Sequence, residues 1–118
     1  MKKVLFYILI CFALINIVGC QGSLEDSTGD LVINARDGIG ASLVGTTVYL
    51  YDNQYDYNNN LYSETGVTDN SGQVRFNYLT PEVYYFECDF TNTYGQTITL
   101  SGYSSVSEGN ETTFTLMP

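Results

Sequence analysis

The 118-residue sequence predicts an all-β protein, namely a sandwich of two sheets built from seven short strands. Residues that favour strands, chiefly Tyr, Thr, Val, Phe and Ile, dominate from residue 31 onward. Apolar side chains recur in that region with a period of two, whereas no stretch beyond residue 20 has a helical period. Turn residues divide the region into seven segments, and their spacing is typical of a β-sandwich.

Each predicted strand is an alternating segment that ends at a turn signal. In chain order the strands are 31–36, 46–52, 61–68, 73–78, 83–91, 96–102 and 111–117. The residues expected to face the core are Leu31, Ile33, Ala35, Val48, Leu50, Val74, Phe76, Tyr78, Tyr84, Phe86, Cys88, Phe90, Ile98, Leu100, Phe114 and Leu116. A glycine-rich loop (37–45) and an Asn-rich polar loop (53–60) flank the second strand. Gly72 supplies the positive φ of a turn at 69–72.

The N-terminus predicts a targeting segment and not a part of the sandwich. Lys2 and Lys3 precede an apolar run over residues 4–18. A helix needs about 20 apolar residues to span a bilayer, so this run is too short and is typical of a secretion signal. We therefore expect residues 1–19 to be a signal peptide.

The end of this segment, Ile-Val-Gly-Cys at 17–20, resembles the lipobox of bacterial lipoproteins. The resemblance implies cleavage before Cys20, a diacylglycerol on its sulfur and an acyl chain, such as palmitate, on the new amino group. Two or more acyl chains hold a protein stably on a membrane. An ordinary secretion signal with a coincidental cysteine, or an uncleaved anchor, is the alternative. Gln21, where Asp would resemble an inner-membrane retention signal, favours the outer membrane or cell surface.

Residues 20–30 are rich in Gly, Ser and acids and predict a flexible acidic tether between the lipid and the domain. The expected organisation is thus a signal peptide (1–19), a tether (20–30) and one β-sandwich domain (31–118). Loss of Lys2 and Lys3 with the signal peptide would lower the net charge from −9 to −11. Such a surface repels phosphate backbones, so we expect no nucleic-acid partner. Solubility and mutual repulsion are the ordinary roles of this acidity.

Two segments carry a family resemblance. Segment 37–51, DGIGASLVGTTVYLY, and segment 68–85, TDNSGQVRFNYLTPEVYY, resemble prealbumin-like domains. This family includes the carboxypeptidase regulatory-like domains and the Cna B-type repeats of Gram-positive adhesins. Its pattern is D-x-x-G-x-P-V-x-G-A-x-V-x-L followed by T-D-x-x-G-x-x-x-F-x-x-L-x-P-G-x-Y. The resemblance covers most of 31–118 and implies a seven-stranded, immunoglobulin-like sandwich.

The chain departs from the family pattern at two turns. Glu82 stands where a Gly usually follows the Pro, and the Pro usual before Val44 is absent. The pattern also implies that Phe76, Leu79 and Tyr84 plug the core. Some family members cross-link themselves through a Lys–Asn isopeptide bond. From Cys20 onward this sequence has no Lys, so the bond cannot form here.

Composition also argues against an enzyme. The chain has no His, which removes the usual catalytic base and the commonest transition-metal ligand. Cys88 alternates with aromatic residues in a strand, as a small buried hydrophobe would. No disulfide partner is left for it once Cys11 is removed with the signal peptide and Cys20 is lipidated. No cofactor is expected. The single metal to test is Ca²⁺, through Asp52 and Asp56 in an oxygen-rich loop that fails the EF-hand spacing.

Tyrosine is the most unusual feature of the middle of the chain. If Val48 and Leu50 face the core, their neighbours in the same strand face outward. The candidate contact residues are Tyr49, Tyr51, Tyr55, Tyr57 and Tyr62. Exposed rings beside Asn and Asp can stack on sugars or form a protein contact. Ordinary cross-strand packing of Tyr on a solvated face is the alternative. We expect a non-catalytic surface lipoprotein with a structural, adhesion or protein-interaction role, or alternatively a carbohydrate-binding module.

Overall fold

The computed structural model describes residues 27–118, which form two β-sheets packed face to face. The strands are β1 (Gly29–Ala35), β2 (Thr47–Tyr51), β3 (Glu64–Val67), β4 (Gln73–Leu79), β5 (Val83–Thr91), β6 (Thr97–Ser105) and β7 (Glu111–Leu116), and a helix, α1 (Gln54–Asn58), joins β2 to β3. The expected all-β, seven-stranded, immunoglobulin-like sandwich is confirmed. The predicted signal peptide, Cys20 and most of the predicted tether lie outside the described residues.

The two sheets differ in size and in strand direction. The smaller has the order β4-β1-β7, in which β1 pairs antiparallel with β4 and parallel with β7. The larger has the order β3-β2-β5-β6 and is antiparallel throughout. β1 already begins at Gly29, two residues before the strand read from the sequence.

The core lies between the sheets and is built from the alternating residues that the sequence singles out. Leu31, Ile33, Val48, Leu50 and Phe86 are fully buried. The Phe86 ring meets Phe114 edge-on, with centroids 5.0 Å apart. Burial of these apolar side chains is the main favourable term in folding. Cys88 is buried among them as a free thiol, as expected of a small hydrophobe.

Tyr78 is a correction to the expected core. Its side chain is 82% exposed and its φ is +60°. The register between β1 and β4 shifts between Gly29 and Leu31, so the alternation of β4 breaks at its last residues. Leu79 turns inward instead and is 5% exposed.

The Asn-rich loop expected at 53–60 contains the helix α1. The Asn53 side chain accepts a hydrogen bond from the Asp56 backbone N–H at 2.8 Å and so caps the first turn. Asn60, at φ +57°, ends the helix in the left-handed region that Asn tolerates. Within residues 27–118, no helix has the length and apolar character that crossing a membrane requires.

One end of the sandwich is closed by three loops with the same turn. Asp37, Asp69 and Asn92 each start an Asx-x-x-Gly sequence, and each side-chain Oδ1 accepts two backbone N–H groups from within its loop. At Gly72 the φ is +77°, and a Cβ there would lie 2.9 Å from the Ala35 carbonyl oxygen. We call this end, residues 37–46, 69–72 and 92–96, the tip.

The described chain begins at the other end of the sandwich. There the Thr28 carbonyl accepts the Gly109 N–H at 2.9 Å, and the Glu82 carbonyl accepts the Val106 N–H at 2.8 Å. We call this end, residues 27–28, 80–82 and 106–110, the base. The tip therefore lies at the end of the domain opposite to residue 27.

Candidate functional site

The outer face of the larger sheet carries a line of tyrosines. Pairing between β2 and β5 places Tyr51 opposite Tyr85, and pairing between β5 and β6 places Tyr85 opposite Tyr103. The line thus runs across the strands, with its spacing set by the separation of neighbouring strands, about 4.8 Å. Helix α1 adds Tyr57 above Tyr51, where the two rings meet edge-on at 5.2 Å.

Three of these rings form a continuous surface, which we call the tyrosine row: Tyr57, Tyr85 and Tyr103. Successive centroids lie 5.9 and 5.5 Å apart, and successive ring planes are tilted by 33° and 40°. These distances and tilts are those of neighbouring rings in tilted contact, unlike the nearly perpendicular Tyr51–Tyr57 pair. Tyr103 is 64% exposed, and the other two rings are half-buried.

Polar groups border the tyrosine row on two sides. Gln54 of α1 and Ser101 of β6 line, together with the three rings, a shallow cleft of about 320 Å³. Glu87 lies two residues along β5 from Tyr85 and pairs across the sheet with Ser101. An aromatic floor with a few convergent polar groups is the usual composition of a small-ligand site.

Tyr51 corrects the expectation of an exposed contact residue. It points to the outer face as the alternation requires, but α1 folds over it and leaves it 2% exposed. Its hydroxyl donates a hydrogen bond to Glu87 Oε2 at 3.2 Å. Burial, and then the Glu87 carboxylate, raise the pKa of Tyr51 to about 12. Tyr51 therefore positions α1 and Glu87 and cannot itself touch a ligand.

The other four tyrosines predicted from the sequence as contact residues lie in three separate positions on the surface. Tyr57 belongs to the tyrosine row. Tyr49 and Tyr62 pack on each other edge-on, with centroids 5.1 Å apart, in a separate pair. Tyr55 is 70% exposed on α1 and contacts no other aromatic ring among the described residues. The structure thus does not bring the five candidates together into one surface.

Sequence reasoning missed two members of the row, Tyr85 and Tyr103. They are eighteen positions apart and become neighbours only through the pairing of β5 with β6. The available signal for Tyr85 was its outward position in an alternating strand, whereas Tyr103 lies one residue beyond the predicted strand 96–102 and belongs to β6 only in the structure. Only the register between those strands could have joined them.

Asp52 and Asp56, the residues proposed for Ca²⁺, both lie in the described part of the chain. Asp52 is exposed, and Asp56 lies in α1, where its Oδ2 accepts a hydrogen bond from Asn53 Nδ2 at 3.2 Å. In the described part of the chain, no three His, Cys, Asp or Glu side chains come together as a metal site would need. A calcium site at these two residues stays a prediction.

A second, larger cleft of about 470 Å³ opens at the tip. Leu43, Phe90 and Ile98, which pack against the core, line its inner part. Ile39 and Tyr94 stand at its rim and are 91% and 87% exposed. Both are the third residue of an Asx-x-x-Gly turn, so the turn itself presents them to solvent.

Comparison with known proteins shows a shared fold. Neither a protein-family profile nor a curated protein matches the chain. The solved structures that resemble it include the major pilin subunit of Bacillus cereus (TM-score 0.56, 19% identity), which it matches over 77% of this chain and 29% of that chain. A minor pilin of Streptococcus agalactiae matches with TM-score 0.56 and 20% identity, over 77% and 44%. The TIE protein of Bacillus anthracis matches with TM-score 0.55 and 13% identity, over 77% and 16%.

The chain spans less than half of each of these structures. It therefore resembles one part of a larger protein in every case. At these identities the likeness shows the immunoglobulin-like fold that pilin subunits also use.

Proposed function

We propose that the chain is a non-catalytic module, held on the outer membrane or cell surface by a lipid on Cys20, that contacts a partner protein in adhesion, spacing or assembly. The observation that carries this proposal is the tip. Ile39 and Tyr94 are almost fully exposed at the rim of an apolar cleft, at the end away from residue 27. Large exposed apolar groups around a concavity are typical of protein-interaction sites.

The pilin subunits that share this fold support the same role, since they are surface assembly proteins by name. The predicted signal peptide and the lipobox resemblance support the anchored location. A lipid at Cys20 would join the domain at its base and leave the tip facing outward.

Two experiments test the anchor. Mass spectrometry of the mature protein from its host is expected to give an acylated N-terminus at Cys20. An N-terminus at Met1, or a free thiol on Cys20, would contradict the anchor. Replacement Cys20→Ser should release the protein from the membrane fraction.

The contact is tested on intact cells by cross-linking and recovery of the lipidated chain. Ile39→Asp should abolish the recovery of a partner that the unaltered chain enriches, because a carboxylate at the rim opposes apolar contact. Tyr78→Ala is the matched control, since Tyr78 is equally exposed but lies near the base. Equal recovery with Ile39→Asp and Tyr78→Ala would count against the tip.

A second function, carbohydrate binding, is favoured by a different observation, the tyrosine row with Gln54 and Ser101 beside it. Sugar rings stack on aromatic faces while amides and hydroxyls hold their hydroxyl groups. A glycan array should give signals that Tyr57→Ala removes. Tyr55→Ala should leave them unchanged, because Tyr55 lies on the same helix outside the row.

A further inference from the structure

We infer that the tyrosine row binds an uncharged, extended β-1,4-linked glycan chain that lies across the strands from α1 to β6. This inference rests on the second function proposed above, carbohydrate binding at this site, and names its ligand class. Three features of the row select that class: its straight course, its periodic spacing and the charge around it.

The straight course follows from strand pairing. Tyr51, Tyr85 and Tyr103 are successive cross-strand partners, and Tyr57 covers the Tyr51 end of that line. Equatorial β-1,4 linkages give a straight, ribbon-like glycan, whereas α-1,4 linkages give a curved one. A straight ribbon can keep contact with three rings in a line, and a curved chain leaves the line after one or two.

The spacing matches the same glycans. The centroids follow one another at 5.9 and 5.5 Å, close to the distance between successive sugar rings in an extended β-1,4-linked chain. The tilts of 33° and 40° add a gradual twist, which a ribbon with torsional freedom about each linkage can follow. The row therefore advances by about one sugar unit per tyrosine.

The charge around the row excludes anionic sugars. Glu87 lies beside the row and already accepts a hydrogen bond from Tyr51. Of the two Arg residues in the described chain, Arg75 is paired with Asp30 and Glu111, and Arg36 donates to Ser42 and to the Ser71 carbonyl. Among residues 27–118, no cation is thus left near the row to receive a carboxylate, while Gln54, Ser101 and Glu87 can hydrogen-bond neutral hydroxyls.

Isothermal titration of the full lipidated chain, in a detergent that has no sugar headgroup, tests this inference with three hexasaccharides. Cellohexaose is the β-1,4-linked, uncharged probe, maltohexaose is its α-1,4-linked counterpart, and β-1,4-linked oligomannuronate is its anionic counterpart. Saturable binding is expected for cellohexaose, with an affinity about tenfold or more above that of either of the others at 0.15 M salt. Equal or tighter binding of maltohexaose would overturn the straight-chain argument, and equal binding of oligomannuronate would overturn the charge argument.

Variants locate the binding. Tyr103→Ala should weaken cellohexaose binding by about tenfold or more, because Tyr103 is the most exposed ring of the row. Tyr103→Phe should retain it, because the ring face and not the hydroxyl makes the contact. Tyr94→Ala, an equally drastic change to an exposed tyrosine at the tip, should have no effect. An unaltered affinity in Tyr103→Ala would refute the site.

The same experiments separate this inference from the functions proposed above. If no hexasaccharide binds but Ile39→Asp still abolishes partner recovery, the glycan inference is wrong and the protein-contact function stands. If a different glycan on the array binds in a way that depends on Tyr57, carbohydrate binding stands and the ligand class named here is wrong.

Discussion

Substitution of Thr68 by Val should destabilise the domain while changing its shape very little. Thr68 is 4% exposed, and its hydroxyl joins two parts of the tip. Oγ1 accepts the Thr46 backbone N–H at 2.9 Å and donates to the Leu43 carbonyl. Valine has the same branched outline but can make neither bond. The amide and the carbonyl would then remain in place, partly buried and without their partner.

The size of the effect follows from these two bonds. A hydrogen bond contributes about 0.5–1.5 kcal/mol net, and an unsatisfied buried partner costs about 1–3 kcal/mol. Because Leu43 and Thr46 are only partly buried, we expect about 2 kcal/mol for the pair. In a domain of this size each kcal/mol lowers Tm by about 4–8 °C, so Tm should fall by roughly 8–16 °C.

The assay is thermal and urea unfolding, followed by circular dichroism, of a soluble form that begins at Gln21. Thr68→Ser is the matched control, since it keeps the hydroxyl and loses one methyl group, worth about 0.8 kcal/mol. The expected order of stability is unaltered chain, Thr68→Ser, Thr68→Val. Amide hydrogen exchange at Thr46 should accelerate in Thr68→Val alone. The reasoning fails if Thr68→Val is as stable as the unaltered chain or more stable than Thr68→Ser.

Three further predictions concern a turn, a thiol and a strand glycine. The backbone N–H groups of Gln73 and Ser71 lower the pKa of Asp69, so Asp69 stabilises the fold above its unfolded pKa of about 4 and loses that effect as pH falls through its folded value. Asp69→Asn, which does not titrate, should make the decline of urea midpoints between about pH 5 and 2 shallower; an unchanged decline would contradict this. Burial raises the pKa of Cys88 to about 11. A thiol-disulfide reagent at about pH 8 should therefore label Cys88 only after unfolding. Rapid labelling of the folded Cys20→Ser protein would contradict this by showing that the thiol is accessible. A Cβ at Gly66 would lie 2.5 Å from Val74 Cγ2 whereas one at Gly38 meets nothing, so calorimetry should show Gly66→Ala destabilised by about 1–3 kcal/mol and Gly38→Ala unaffected.

Most strands could be predicted from the sequence because their inward-facing residues are buried. In β1 the alternating residues Leu31, Ile33 and Ala35 are all buried, although Val32 between them is also only 2% exposed. The structure also explains why the T-D-x-x-G residues of the family pattern are suited to their positions at 68–72. Thr68 joins Leu43 to Thr46, Asp69 holds two N–H groups of its turn, and Gly72 leaves space for the Ala35 carbonyl.

Features that depend on pairing between distant segments could not be predicted in this way. The prediction that Tyr78 is buried is wrong because the register shift between β1 and β4 depends on both strands. The alternating sequence of β4 alone does not reveal it. The membership of the tyrosine row could not be predicted for the same reason, since Tyr85 and Tyr103 become neighbours only through the pairing of β5 with β6. Helix α1 is five residues long, too short for a 3.6-residue period to be visible, and its cap between Asn53 and Asp56 is seen only in the structure.

In the proposed anchored form, the acidic charge of the base and the length of the segment before the domain determine how the tip and the tyrosine row are oriented relative to the membrane. Acidic side chains, among them Glu82, Glu108 and Glu111, lie at or next to the base. They would repel an anionic lipid surface, but screening limits that repulsion to about 8 Å at physiological salt. The nine residues from Cys20 to Thr28 span at most about 30 Å. The length of this segment, and not charge, therefore sets how far the domain can stand from the bilayer, while the acidic base keeps it from docking there. Both the tip and the tyrosine row would then remain open to partners outside the membrane.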